Sequence, residues 1–134
     1  MTNIHPKKHL VLLVDDDQFL LNMYALKFRN SGFDVEVVNG ANLALQKLRD
    51  GSTPDMILCD LVMPTMDGLE FIRVCKKEKL SPCSAIVVLS NQSQAADIDA
   101  AKALGVDGYI VKASTIPSEV VEEVRKILEK RRTK

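Results

Sequence analysis

Four short apolar runs of this 134-residue chain end in residues able to do chemistry. Leu10–Val14 runs into Asp15 and Asp16, Met56–Cys59 into Asp60, Ala85–Leu89 into Ser90, and Gly108–Val111 into Lys112. If these runs are parallel strands of one sheet, three carboxylates, a hydroxyl and an amine meet beyond its carboxyl edge, where open α/β sheets bind ligands. Two carboxylates about 4 Å apart repel by roughly 4 kcal/mol at an effective dielectric of 20, and a third worsens the cluster unless a cation intervenes. A divalent metal is therefore implied. All-oxygen ligands on a partly open edge suit Mg2+, with Mn2+ able to replace it. Given such an ion, one carboxylate can attack phosphorus while the metal and an ammonium neutralise the phosphoryl oxygens. Asp60 stands alone at its strand end, facing the Asp15 and Asp16 pair, and is the expected nucleophile. Lys112 supplies the cation and Ser90 a hydrogen-bond donor. Taken singly these residues have plainer readings, Asp60 as a turn former, Asp15 to Asp17 as helix caps, Lys112 and Ser90 as surface groups. Convergence at one edge moves all but Asp17 out of those roles.

The elements that must position this set can be traced along the chain. Leu10–Val14 is continuously apolar, as suits a strand covered on both faces. Leu20, Leu21, Tyr24 and Phe28 then recur at helical spacing before Gly32, and Val35, Val37 and Val38 mark a second strand. Leu43, Leu45 and Leu48 mark a short helix closed by Gly51; Pro54 and Asp55 introduce the third strand. After a turn-rich loop with Pro64, Asp67 and Gly68, the helical period resumes at Leu69, Phe71, Ile72 and Cys75. An alanine-rich helix ending at Gly105 follows the fourth strand, and Val120, Val121, Val124, Ile127 and Leu128 share one face of the last helix, with Pro117 near its start. Five strands alternating with five helices predict an α/β fold, a doubly wound five-stranded parallel sheet covered by helices on both sides. Residues 9–131 form the expected domain, with tails at 1–8 and 132–134.

Composition narrows the function classes. Lys plus Arg equals Asp plus Glu at 18 each, so no net field holds a nucleic-acid backbone or an anionic membrane, and neither partner is expected. No run reaches membrane-spanning length, and Met1 to Lys8 resembles no signal peptide, so a cytoplasmic protein is expected. Cys59, Cys75 and Cys83 lack metal-type spacing and are expected to be buried thiols; His5 and His9 are assigned no metal role.

The segments VDDD at Val14 to Asp17, ILCDLVMPTMDG from Ile57 to Gly68, VVLS at Val87 to Ser90 and GYIVK at Gly108 to Lys112 resemble response-regulator receiver domains, in order and at matching spacing. The resemblance spans about residues 9 to 131 and implies a flavodoxin-like (βα)5 fold. It implies phosphoryl transfer to Asp60 from a histidine kinase or histidine phosphotransfer protein, in a two-component or phosphorelay system. It also implies Mg2+ held by Asp15, Asp16, Asp60 and the backbone carbonyl of Val62, phosphoryl contacts from Ser90 and Lys112, and Tyr109 as an aromatic switch. The face of the fourth helix, fifth strand and fifth helix is expected to meet a downstream protein or a second copy, the alanine-rich fourth helix being easily shifted.

Three positions depart from the pattern. Ala113 follows Lys112 where receivers carry proline, and a cis bond to alanine costs roughly 3 kcal/mol, so trans is expected. Val62 offers no polar group to orient water, although Gln92 on the facing loop does, which predicts slow self-dephosphorylation. Asn91 is bulkier than the usual alanine or glycine and is expected to narrow access for small phosphodonors. A haloacid-dehalogenase-type phosphatase is a weaker reading of Asp15-Asp16-Asp17, since Phe19 stands where Thr or Val is expected. An FMN module is disfavoured by the acidic first loop, and a degenerate receiver scaffold is supported only by Ala113 and Val62.

Overall fold

The computed structural model describes residues 8–132; His5, with the rest of residues 1–7, and residues 133–134 of the expected tails lie outside them. The expected alternation is present: β1 (Leu10–Asp15), α1 (Gln18–Asn30), β2 (Asp34–Asn39), α2 (Ala41–Arg49), β3 (Met56–Cys59), α3 (Gly68–Glu78), β4 (Ala85–Ser90), α4 (Ala95–Ala103), β5 (Gly108–Val111) and α5 (Pro117–Arg132). All five strands are parallel, in the order β2-β1-β3-β4-β5. Side chains alternate across a strand, so β1 feeds two cores. Val11 and Leu13 pack with Leu21, Phe28, Val120 and Val124 of α1 and α5. Leu12 and Val14 pack with Leu45, Leu48, Phe71 and Ile72 of α2 and α3, and with Ala101 of α4. The sheet is doubly wound, and the central strands β1, β3 and β4 hold nearly all their residues out of water.

Local chemistry sets the ends of the helices. Asp17 caps α1 as expected, its carboxylate accepting from Leu20 N at 3.1 Å, and Asp67 does the same for α3 through Glu70 N at 2.9 Å. Pro117 opens α5 where its missing N–H costs nothing, and Glu119 Oε1 reaches back to Ile116 N at 3.1 Å. The α2 stripe differs from expectation: Ala41, Ala44, Leu45 and Leu48 face the core at i, i+3, i+4 and i+7, leaving Leu43 56% exposed. Cys83 is also exposed, because it sits in the turn before β4 rather than in an apolar run; Cys59 and Cys75 are buried. A short 3-10 turn, Lys112–Ser114, follows β5 and is not visible in the sequence pattern. No peptide bond among the described residues is cis, so Lys112–Ala113 is trans as expected. No helix of the described residues is long and apolar enough to cross a membrane.

The close approach of α3 to the end of β3 requires Gly68. Its N–H donates to Leu61 O at 2.8 Å, and a Cβ there would overlap the Asp60 carbonyl oxygen and sit 2.8 Å from Leu61 Cα. At Gly108 a Cβ would press on the flexible end of Ile127 at 2.8 Å and meet Val87 at an ordinary contact distance of 3.5 Å. Gly68→Ala is expected to cost about 3 kcal/mol in urea denaturation, and Gly108→Ala about 1 kcal/mol. Equal losses at the two positions would contradict this account of the β3–α3 junction.

Candidate functional site

Asp15, Asp16 and Asp60 each place a carboxylate oxygen so that the three atoms lie within 4.8 Å of one another. Asp15 is the last residue of β1 and Asp60 follows β3, its neighbour in the sheet; Asp60 N donates to Val14 O at 3.0 Å, which continues the ladder past Cys59. Asp15 and Asp60 are buried, whereas Asp16 is exposed at the start of the loop into α1. Lys112 reaches this pair from the end of β5. Its Nζ lies 2.7 Å from Asp15 Oδ2 and 3.1 Å from Asp60 Oδ2, and its side chain is only 8% exposed. The remaining oxygens have backbone donors: Asp17 N to Asp15 Oδ1 at 3.0 Å and Val62 N to Asp60 Oδ1 at 3.2 Å.

Burial pushes the Asp15 carboxyl above its ordinary value, outweighing the Lys112 hydrogen bond, the Asp17 amide and the Lys112 charge; the Asp60 charge adds to the rise. Burial would lower the Lys112 ammonium, but the Asp15 hydrogen bond and the charges of Asp60 and Asp15 prevail and hold it above its ordinary value. The partners thus differ in what they gain. The ammonium faces two carboxylates and is fully compensated, while the acidic side shares one cation and keeps surplus negative charge. That surplus, on hard oxygen donors at an edge opened by Asp16, fits a divalent cation that retains several waters. Next to Asp60, burial pushes the Cys59 thiol well above its usual value, the Asp60 charge adding to it; further along α3, burial pushes Cys75 up to about 12, the Glu78 charge adding to it. Both thiols stay neutral.

The other expected residues stand one strand further out. Ser90 ends β4, fully buried, with Oγ accepting from Gln92 N at 3.2 Å rather than touching Asp60. The Tyr109 hydroxyl donates to Gln92 O at 2.6 Å, so β5 is tied to the β4–α4 loop through the same residue. Tyr109 also lines a groove of about 620 Å3 between β5 and α5, walled by Glu119, Glu122 and Glu123. Val62 presents its N–H to Asp60, and its side chain is 58% exposed. One residue next to the cluster escapes the sequence reading. Tyr24 of α1, taken there as core, lines a cavity of about 10 Å3 together with Asp15 and Asp60. Its hydroxyl, the one polar atom on the buried stripe of α1, was the available signal.

Residues 11–125 match the family described as response regulator receiver domain. The chain is 35% identical over 115 residues to the DNA-binding response regulator MtrA of Mycolicibacterium paratuberculosis, covering 86% of this chain and 49% of that protein. It is 30% identical over 118 residues to the alkaline phosphatase synthesis transcriptional regulatory protein PhoP of Bacillus subtilis, covering 88% of this chain and 48% of that protein. The chain spans about half the length of the curated relatives it matches. A CheY-like receiver domain protein from Methanospirillum hungatei superposes with a TM-score of 0.85 over 95% of this chain and 98% of its own, at 24% identity. The Vibrio cholerae chemotaxis protein CheY4 gives 0.82 over 90% and 99%, at 25% identity.

The relatives overturn one expectation, that there is no direct nucleic-acid partner. MtrA, of which this chain covers 49%, is named as a DNA-binding response regulator, so the balanced charge of the chain does not exclude that partner. With a family match over residues 11–125 and a sheet that overlays known receivers nearly end to end, the chain belongs to the response regulator receiver domains.

Proposed function

We propose that Asp60 is the phosphoacceptor of this receiver, within a domain at 9–131, and that it takes its phosphoryl group from the phosphohistidine of a histidine kinase or phosphotransfer protein. One observation carries the reading: the Asp60 carboxylate is buried yet addressed by the Lys112 ammonium and the Val62 N–H, beside Asp15 and Asp16. An Asp60 oxygen attacks phosphorus, the P–N bond breaks with its electron pair going to the imidazole, and an acyl phosphate remains. Lys112 neutralises charge on the transferring oxygens, and Ser90 turns its hydroxyl toward them. Mg2+, or Mn2+, held by Asp15, Asp16, Asp60 and the Val62 carbonyl supplies the remaining charge neutralisation. Tyr109 changes its partner when Ser90 and Gln92 shift, so the protein acts as a cytoplasmic signalling switch rather than a turnover enzyme. The name of the relative MtrA, a DNA-binding response regulator, supports a DNA-binding output.

Incubation with acetyl phosphate and Mg2+ is expected to add one phosphoryl group by intact mass to the wild type and none to Asp60→Ala. No adduct with acetyl phosphate or with a phosphorylated histidine donor would overturn the assignment. Because Val62 offers water no hydrogen bond, Val62→Asn should shorten the life of the phosphorylated state about tenfold; an unchanged half-life sinks that argument. Asp15 gives a test through stability. Its folded value lies above 3.8, so its contribution is present below that pH and is lost as pH rises through the folded value, leaving a cost at neutral pH. Asp15→Asn should leave metal-free stability at pH 7 unchanged or about 1 kcal/mol higher. The same variant should lose the roughly 2.7 kcal/mol that a hundredfold excess of Mg2+ over Kd gives the wild type.

A further inference from the structure

Tyr24 is buried to 5% exposure on the face of α1 that packs against β1 and β3. Every other buried residue of that helix, Leu21, Ala25 and Phe28, is hydrocarbon. The phenol oxygen has no hydrogen-bond partner among the described residues and is not sealed from water. It lines the small cavity directly under the carboxylates, whose remaining wall is Leu13, Val14, Leu21, Leu58, Leu89, Asp15 and Asp60. A cavity needs roughly 10–15 Å3 of this kind of volume to hold one water, and a water stays only where it finds two to four polar partners. At about 10 Å3 this cavity stands at the lower limit for one water, and Tyr24, Asp15 and Asp60 are the residues on its wall that carry polar side-chain atoms.

We propose that Tyr24 is a positioning residue for the acidic cluster, its hydroxyl donating to one water in this cavity while that water donates to the carboxylates of Asp15 and Asp60. The inference rests on the function proposed for those aspartates. Lys112 holds the two acids through Oδ2 of each, and the water holds them from the cavity. The pair is then fixed between two donors before any metal or phosphoryl group arrives. The charges of both Lys112 and Asp15 reach the Tyr24 phenol, in line with its place behind them. Groups that orient metal ligands from behind typically change metal affinity 10- to 100-fold when removed.

The protein has two tyrosines and no tryptophan, so Tyr109→Phe leaves Tyr24 as the only tyrosine emitter. Titrating that variant with Mg2+ should change the tyrosine emission saturably, at the same midpoint as the rise in Tm. Tyr24→Phe should weaken Mg2+ binding roughly tenfold, while the urea midpoint of the metal-free protein stays at or above that of the wild type. Flat emission while Mg2+ still raises Tm, or wild-type Mg2+ affinity in Tyr24→Phe, would overturn the role of Tyr24 and leave the phosphoacceptor reading intact. Failure of the wild type itself to bind Mg2+ would overturn the site reading, and this inference with it.

Discussion

The ammonium of Lys112 between the carboxylates of Asp15 and Asp60 is the contact on which the carboxyl edge depends. Without it, two buried acids at the ends of β1 and β3 would face each other uncompensated, with a third close by. The contact is demanding because β4 and β3 lie between β5 and β1. Three strand spacings of about 4.8 Å separate them, more than an extended lysine and aspartate can bridge if both backbones stand upright. A 3-10 turn begins at Lys112, and β4, between the two strands, ends in the small, fully buried Ser90. A bulkier residue at that strand end would block the side chain whose charge the acids require.

The same contact explains why the site is poised rather than satisfied. A lysine with two acceptors and an aspartate with half a cation shift in ways that describe one imbalance, a surplus of negative charge held in place by the fold. Burial raises the cost of that surplus, and the parallel sheet enforces it, because the strand ends cannot retreat into solvent without breaking their ladders. A dication bound there would relieve the cost and would gain affinity from it. This is how a domain of ordinary size can hold a reactive cluster: two hydrocarbon cores above and below the sheet supply the stability that the edge lacks.

Much of this edge was legible in the sequence because continuous apolar runs in a parallel sheet reveal their own ends, and Asp15, Asp60, Ser90 and Lys112 are those ends. The phase of a helix is harder to see. Leu43 looked like core by identity, yet it lies off the stripe that Ala41, Ala44, Leu45 and Leu48 bury, and two alanines carry no hydrophobic signal of their own. Cys83 misled in the same way, its type suggesting burial while its place in a turn exposes it. Tyr24 was counted with its apolar neighbours, since periodicity registers the ring and not the hydroxyl. Composition misled about nucleic acid for a different reason, because net charge describes only the residues counted.

The path outward from the cluster is made of hydrogen bonds rather than packing. Gln92 N donates to Ser90 Oγ while Gln92 O accepts from the Tyr109 hydroxyl, so one peptide segment joins the end of β4, beside β3, to the aromatic ring at the β5–α5 groove. The segment has little else to hold it. Asn91, Gln92, Ser93 and Gln94 are exposed, α4 lacks a side-chain cap, and among its residues only Ala101 is fully buried. An element with so little buried apolar surface has a low cost of displacement, whereas β3 and β4 beneath it do not move cheaply. A new acceptor for the Ser90 hydroxyl at Asp60 would therefore be answered by the loop and α4, because the stiff sheet leaves them as the parts free to follow.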